Sequence, residues 1–300
     1  MALKTNIATP AANPTATANP TYGDIEKIGK MVVVQAKSRN PLNVFDAGYL
    51  PTGKIWEELG IPFVTSTETP ATGTSAFGNK NPELPAFFYQ SWNKRTYQTT
   101  VSDADMRAII LANMTADDMA AKLTASLTES EGDDDYNSML AVLKDEAFKT
   151  AHPVEEITTN TDDLLRRLRT VAKDMTFAND KYYSTAAKGK GWKSSASLEN
   201  IYILIPTAVL EMVNLSTLSR LFNLTQAEML GKIVEIDTTD NLIYIVENTA
   251  IGYYSRLRDF RMGFNYTTGK DEAFLYTEKQ YFWSGLRKAH ILHYNPTTTA

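Results

Sequence analysis

The residues whose types and spacing could carry chemistry fall into a few short groups, and the first combines glycine with lysine. The segment AAKGKGWKSS at 186–195 has the composition of a phosphate-binding loop. Such a loop also needs a preceding strand, the spacing G-x-x-x-x-G-K-[ST] and a following helix, and the segment lacks all three. We predict a mobile loop here, whose lysines could still contact phosphate or an acidic neighbour.

A second group is the carboxylate cluster EGDDDY at 131–136. A calcium-binding loop alternates its ligands along the chain and carries glutamate at its twelfth position. Counting from Asp133, the twelfth residue is Lys144, so the calcium pattern fails. We predict that this cluster is a solvated face at a helix junction.

Cysteine, histidine and serine give no further site. The absence of cysteine excludes disulfides, zinc–thiolate sites, iron–sulfur clusters and thiol catalysis. His290 and His293 lie in a predicted strand, where they point to opposite faces and are poorly placed to share a metal. Ser284 has no G-x-S-x-G context, and nothing places two of the 35 acidic residues in one cleft. We predict no catalytic, cofactor-binding or metal-binding residues and no enzymatic activity.

The overall composition is that of a folded chain with an acidic balance. Of the 300 residues, 43% are hydrophobic and 10% are aromatic, which suffices for a substantial core. The net charge of -5 argues against a general nucleic-acid-binding surface. The longest apolar run, 201–213, is too short for a membrane span and contains Pro206 and Glu211. Residues 1–20 lack a signal-peptide pattern, so we expect a soluble protein made in a cytoplasm.

Two apolar and aromatic stretches enclose a polar segment at 64–82 that is rich in threonine, glycine and proline. The stretches KIWEELGIPFV (54–64) and PAFFYQSWNKRTYQTTV (85–101) have the composition of strands. Together they predict a two-stranded ribbon with a long tip. A lone ribbon is marginally stable in water, so it must lie on another surface.

Helical patterns follow the ribbon. Residues 101–113 and 115–149 predict helices, the second being either one rod of about 35 residues or two pieces broken at Gly132. A third helix is predicted after a cap at Asn160 or Thr161. Its apolar face consists of Leu164, Leu165, Leu168, Val171, Ala172 and Met175.

The remaining segments alternate between strands, helices and polar stretches. We predict a polar loop at 181–200, a buried strand at 201–206, a short helix from Thr207 and a further helix at 216–229. Strands are predicted within 232–248 and over most of the last fifty residues. Residues 3–22, rich in alanine, threonine, proline and asparagine, predict an arm that cannot order itself alone.

The order of these parts resembles the major capsid proteins of tailed bacteriophages, whose shell has the HK97-type fold. The segment NPLNVFDAGYLPTGKIWEELGIPF (40–63) is similar to the stretch entering the extended loop in capsid proteins of small short-tailed phages. SLENIYILIPTAVLEMVNLSTLSRLFN (197–223) is similar to the strand-then-helix step of their central domain. NLIYIVENTAIGYYSRLRDFRMGFN (241–265) looks like their passage back to the peripheral domain. The resemblance covers most of residues 23–296.

This resemblance implies an α+β chain with an HK97-like capsid fold. Its implied parts are an N-terminal arm and lead-in (1–50), an extended β-hairpin loop or E-loop (51–100), a peripheral domain with a long spine helix (101–150), a central axial domain (151–250) and a return to peripheral strands (251–300). The segment 64–82 would be the loop tip, lying across an adjacent subunit. Some members crosslink a loop lysine to a neighbour's asparagine, but Lys80 and Lys94 lie in no matching motif.

The same resemblance implies a function. The chain would be the structural subunit, or major head protein, that self-assembles into the icosahedral shell around a viral double-stranded DNA genome. Its implied partners are copies of itself in pentamers and hexamers, scaffolding and portal proteins, and packaged DNA contacted weakly on the inner face. It would reside in the virion capsid, assemble in the host cytoplasm and contact no membrane.

Three alternative interpretations remain open from the sequence. An encapsulin-like nanocompartment shell protein would have the same fold and enclose an enzyme cargo. A soluble hydrolase or binding protein with a long lid loop would form a small species. Another virion component, such as a tail or decoration protein, would form rings or trimers.

Overall fold

The computed structural model describes residues 35–64, 83–101, 116–152, 154–213, 232–267 and 270–296. The predicted arm at 3–22, the ribbon tip at 65–82, almost all of the helix predicted at 101–113 and the helix predicted at 216–229 lie outside these ranges. The described strands are β1 (Asp46–Tyr49), β2 (Trp56–Leu59), β3 (Ala86–Tyr89), β4 (Asn93–Val101), β5 (Val154–Ile157), β6 (Ile201–Pro206), β7 (Ile233–Ile236), β8 (Leu242–Glu247), β9 (Ile251–Asn265), β10 (Lys270–Trp283) and β11 (Ala289–Tyr294). The described α-helices are α1 (Ala116–Lys144), α2 (Glu146–Ala151), α3 (Thr161–Met175), α4 (Thr185–Gly189) and α5 (Thr207–Met212).

The largest described sheet has five strands in the order β5-β11-β8-β6-β7. Strand β8 pairs antiparallel with β6 and β11, while β5–β11 and β6–β7 are parallel pairs. Alternate residues of β8 lie in different cores: Ile243 and Ile245 face one, and Tyr244 and Val246 face the other. Because both faces are covered, the central strands are almost continuously apolar, as predicted for 201–206.

Helix α3 covers one face of this sheet, and its prediction is confirmed. The Asn160 side chain caps the helix by accepting a hydrogen bond from the Asp163 amide at 2.9 Å. The buried face contains all of the predicted apolar residues: Leu164, Leu165, Leu168, Val171, Ala172 and Met175. The local cap and the 3.6-residue periodicity were sufficient to predict this helix because they agree with its burial.

The opposite face of the sheet is covered by the C-terminal part of α1 and by α2. Met139 and Leu143 of α1 and Phe148 of α2 are buried in this core. The helix does not break at Gly132, which lies inside α1. The chain turns instead at Asp145, where an extended backbone ends α1 and the carboxylate caps α2 through the Ala147 amide.

The aromatic stretch at 85–101 forms two strands, although the sequence predicted one. Strand β3 pairs antiparallel with β2 and forms the predicted ribbon, which is confirmed. Residues 90–92 interrupt the stretch, and β4 then joins a different, four-stranded sheet in the order β1-β9-β10-β4. Composition favours strand throughout the stretch, but the pairing partner changes within it.

The chain divides into two compact units. One includes Thr96–Glu131 and Asp259–Leu275, and its described core is Leu127, Ala273 and Leu275 with Tyr97 packed against them. The other includes Arg39–Arg95, Gly132–Arg258 and Tyr276–Ala300, and thus the ribbon and the five-stranded sheet. Within the described ranges, no helix is long and apolar enough to cross a membrane.

The predicted polar loop at 181–200, which includes the segment predicted to be mobile at 186–195, is packed instead in a small cluster with Leu286 and Phe87. It contains helix α4, which begins after Ser184, and this serine donates a hydrogen bond from Oγ to the Gly285 carbonyl at 2.7 Å. Tyr183 is 1% exposed, and Trp192 donates from Nε1 to the Leu286 carbonyl at 3.0 Å. The apolar residues are too few to form a local pattern, so their burial depended on the tertiary partner.

His152 provides a test of this core through its acid sensitivity. It is 2% exposed and lies beside the rings of Phe148 and Trp283. Burial, aided by the positive charges of Lys188 and His290, lowers the pKa of His152 from 6.5 to about 4. As the pH falls below 6.5, His152 is therefore protonated in the unfolded chain while it is still neutral in the folded chain.

The expected result is a loss of stability between pH 6.5 and about 4, at up to about 1.4 kcal/mol per pH unit. Denaturant unfolding at several pH values measures it. In His152→Asn the group cannot titrate, so this part of the slope should vanish. Equal slopes in the two proteins would show that His152 is not the cause.

Candidate subunit-interaction site

The ribbon has two faces of different character because strand residues alternate in direction. Its paired residues are Trp56 with Tyr89, Glu57 with Phe88, Glu58 with Phe87, and Leu59 with Ala86. The first and third pairs contact the body of the chain and form what we call the inner face. The second and fourth pairs form the outer face.

Aromatic stacking holds the inner face. The Trp56 ring stacks on Tyr89 with centroids 4.3 Å apart and an interplanar angle of 21°. It also lies 4.1 Å from the Phe282 ring of β10 and 5.1 Å from the Tyr254 ring of β9. The ribbon was predicted to need a supporting surface, and aromatic residues of β9 and β10 in the same chain provide part of it.

A half-buried carboxylate completes the inner face. Glu58 accepts hydrogen bonds at Oε2 from the Tyr89 hydroxyl at 3.0 Å and from Ser284 Oγ at 2.6 Å. The Tyr89 hydroxyl accepts in turn from the Gly285 amide at 3.2 Å. Burial raises the pKa of the Glu58 carboxyl, and the two hydrogen bonds oppose that rise.

Apolar side chains are exposed on the outer face, beside Glu57, and on the chain segments that flank β2. Exposed fractions run from 54% at Leu59 to 74% at Ile61. The described residues of this exposed apolar surface are Ile55, Leu59, Ile61, Phe63, Val64 and Phe88. A group of large apolar side chains with such exposure on a folded chain is typical of an interaction site.

The sequence predicted the ribbon but not which residues face outward. In the run WEEL, aromatic Trp56 and acidic Glu58 share the inner face, whereas Glu57 and Leu59 share the outer one. Neither face is uniformly apolar, so alternation alone could not assign them. The inner face is decided by the contacts of Trp56 with Phe282 and of Glu58 with Ser284, and each of these pairs is separated by more than 220 residues along the chain.

The residues considered for chemistry are dispersed. Asp133 hydrogen-bonds Asn137, Asp134 pairs with Arg95, and Asp135 is buried beside Lys279, which contradicts a uniformly solvated acidic face. His290 contacts Glu155 at 2.9 Å and His293 contacts Glu156 at 2.8 Å. Ser284 is bound to Glu58. Among the residues that the structure describes, no group of three or more histidines and acids could hold a metal ion.

The chain is similar in sequence to major capsid proteins of phages. The major capsid protein of Bacillus phage PZA is 20% identical over 223 residues, which cover 71% of this chain and 49% of that protein. That of Streptococcus phage Cp-1 is 23% identical over 127 residues, covering 42% of this chain and 35% of that protein. The chain thus spans about half the length of the PZA protein and about a third of the length of the Cp-1 protein.

Solved structures share the fold of the chain. A chain in the capsid structure of Staphylococcus phage Andhra superposes with a TM-score of 0.69 at 13% identity, covering 90% of this chain and 88% of that one. A chain in the structure of the head fiber and inner core protein gp22 of native bacteriophage P68 gives a TM-score of 0.65 at 12% identity, covering 89% and 88%. The mixed α and β architecture is therefore one found in phage capsids. The model of the Phi29-like phage major capsid protein matches residues 5–287, and the chain belongs to this family.

Proposed function

We propose that this chain is the subunit of an icosahedral viral shell that encloses double-stranded DNA, and that it is a structural protein without enzymatic activity. The observation that carries the proposal is the exposed apolar surface of the ribbon in a member of a capsid protein family. A neighbouring copy would cover this surface. Many weak contacts of this kind around a closed symmetric particle add to a stable assembly.

The finer architecture proposed is HK97-like. Helix α1, with 29 residues and a length of about 44 Å, has the dimensions of a spine helix. The β2–β3 ribbon suits the base of an extended loop at 51–100. Strands β5, β6, β7 and β8 of the five-stranded sheet suit an axial domain at 151–250, to which β11 (Ala289–Tyr294) adds a strand from the C-terminal segment. An arm and lead-in (1–50), a peripheral domain (101–150) and returning strands (251–300) complete the proposal.

The proposed partners follow from the role of a shell subunit. The chain would form pentamers and hexamers, use scaffolding and portal proteins, and assemble in the host cytoplasm into the virion. The net charge of -5 suits weak contact with packaged DNA. The family match supports neither an encapsulin-like cargo shell nor a soluble hydrolase.

Light scattering and negative-stain electron microscopy of the purified protein test the proposal. The expected result is closed particles tens of nanometres across, and nuclease-protected DNA in particles from infected cells would separate a phage head from a cargo compartment. A chain that stays monomeric or dimeric, even with its scaffold protein added, would contradict the proposal.

Polar substitutions on the outer face of the ribbon should prevent assembly. In Leu59→Ser/Phe88→Ser, two apolar side chains that are 54% and 62% exposed lose most of the area that a neighbour could bury. The subunit should stay folded by circular dichroism because neither side chain is in its own core. The matched control is Phe177→Ser, which removes a 67% exposed ring that follows α3 and is not part of the ribbon. Normal shells from the double variant would exclude this surface from the interface.

A further inference from the structure

We infer that the root of the ribbon is a clamp that fixes the ribbon at one angle to the body of the chain, and that Glu58 is its positioning residue. The clamp consists of the Glu58 hydrogen bonds and of close contacts at Gly60 and Gly285. The clamp itself can be tested on the single chain. Only its consequence for assembly rests on the proposed function.

The first part of the clamp ties both strands of the ribbon to the same turn. Glu58 of β2 binds Ser284 Oγ, and Tyr89 of β3 accepts from the neighbouring Gly285 amide. The Glu58 oxygen that binds Ser284 also accepts from Tyr89. Hydrogen bonds to an ionised carboxylate are about twice as strong as neutral ones. Removing the Glu58 side chain therefore frees β2 from Ser284 and removes the acceptor of the Tyr89 hydroxyl, which keeps only its bond from the Gly285 amide.

The second part of the clamp is the absence of side chains at two glycines. A Cβ added to Gly285 would lie 2.5 Å from Phe87 Cζ, on the inner face of β3. A Cβ added to Gly60 would lie 2.9 Å from the Trp192 ring and from Pro85 Cγ. The ribbon therefore approaches the body as closely as glycine permits, and a methyl group at Gly285 must push the Phe87 ring outward.

The surroundings allow the ribbon to move when the clamp is opened. A two-stranded ribbon with four paired residues in each strand has little stability of its own. A cavity of about 260 Å³ lies beside the root, lined in part by Glu58, Leu59, Trp192 and Arg287. The root can thus shift into existing space, and the polar clamp selects one position from several.

The assembly consequence concerns the curvature of the particle. The angle of the ribbon sets where its outer face meets a neighbouring copy. A closed shell of pentamers and hexamers allows only small differences in this angle between its contacts, because errors in the angle repeat around the symmetry axes. A subunit with a free ribbon should still associate but should form open sheets or irregular particles in place of closed ones.

A pair of spin labels measures the angle directly, since the natural chain has no cysteine. Cysteines replace Ile61 at the ribbon and Arg166 on α3, and labelled subunits are diluted with unlabelled ones so that only distances within a chain are recorded. We expect one narrow distance distribution in the parent. Glu58→Ala should broaden it about twofold, as several ribbon positions become populated.

Matched variants distinguish a loss of the clamp from a general loss of folded structure. Glu57→Gln changes the adjacent carboxylate on the outer face and should leave the distance distribution unchanged. Gly285→Ala should shift the mean distance without broadening it, because the methyl group displaces Phe87 but leaves the carboxylate in place. If Glu58→Ala proves unfolded by circular dichroism, Gly285→Ala still tests the clamp. Parental distributions in both Glu58→Ala and Gly285→Ala would overturn the inference.

Electron microscopy of the unlabelled variants tests the consequence separately. Closed particles from the natural chain together with open or irregular ones from Glu58→Ala would support the positioning role. Normal shells from Glu58→Ala, despite a broadened distance distribution, would overturn the role in assembly and leave the proposed function intact. Absence of shells from the natural chain would count against the proposed function, while the distance measurement would still decide the clamp.

Discussion

Asp135→Ala is expected to lower the free energy of unfolding by about 3–5 kcal/mol, because it breaks a buried ion pair from one side. Asp135 of α1 accepts from Lys279 Nζ at 2.5 Å and from the Tyr281 hydroxyl at 2.6 Å. The Asp135 and Lys279 side chains are each 8% exposed. Removing the carboxylate leaves the Lys279 ammonium buried without this partner, which costs more than the pair itself contributes.

Two further variants test that explanation in urea unfolding experiments. Asp133→Ala removes a carboxylate two residues earlier in the same helix, but this one is exposed, so we expect a change within about 0.5 kcal/mol. Asp135→Leu/Lys279→Met replaces both charges by apolar groups and should recover much of the stability lost in Asp135→Ala. A double variant no more stable than Asp135→Ala would show that packing, not an unpaired charge, explains the loss.

Phe148→Ala is expected to cost about 3–5 kcal/mol by leaving a cavity in the core between α2 and the five-stranded sheet. The Phe148 ring is 0% exposed and contacts the rings of His152, Tyr244 and Trp283. These partners come from a helix end, a central strand and the end of β10. They cannot all move to fill the space, so the cavity should persist.

The same variant should change the acid response of the chain. The Phe148 and His152 ring centroids lie 4.9 Å apart, so the cavity admits water to the imidazole. The pKa of His152 should then rise from about 4 toward 6.5, and the stability loss in that interval should shrink. Unfolding measured across this pH range tests both effects. Phe177→Ala, which removes a 67% exposed ring, should change neither; an unaltered pH slope in Phe148→Ala would refute the shielding role.

These two sites differ in kind from the ribbon. Asp135 and Phe148 stabilise the fold of one chain, so their variants should lower stability before they affect assembly. The outer face of the ribbon contributes little to that fold, so its variants should reduce assembly while leaving the stability of the single chain nearly unchanged. Measuring both unfolding and particle formation for each variant therefore separates the residues that build the subunit from those that join subunits.

The sequence alone determined the elements whose signals are local. Helix α3 was predicted with its cap and its buried face because Asn160 and the apolar spacing act within a few turns of chain. The buried strand at 201–206 and the β2–β3 ribbon were predicted from their apolar and aromatic composition. The order of such elements was also sufficient for the resemblance to capsid proteins.

Tertiary structure decided what each exposed or charged side chain does. Asp133 and Asp135 belong to one acidic run, yet one is on the surface and the other is buried beside Lys279, a residue 144 positions away. Glu57 and Glu58 are adjacent and identical in type, yet only Glu58 meets Ser284. The burial and pairing of a charged side chain depend on residues that are distant in sequence. The local sequence pattern therefore does not show which of these residues will contact it in the fold.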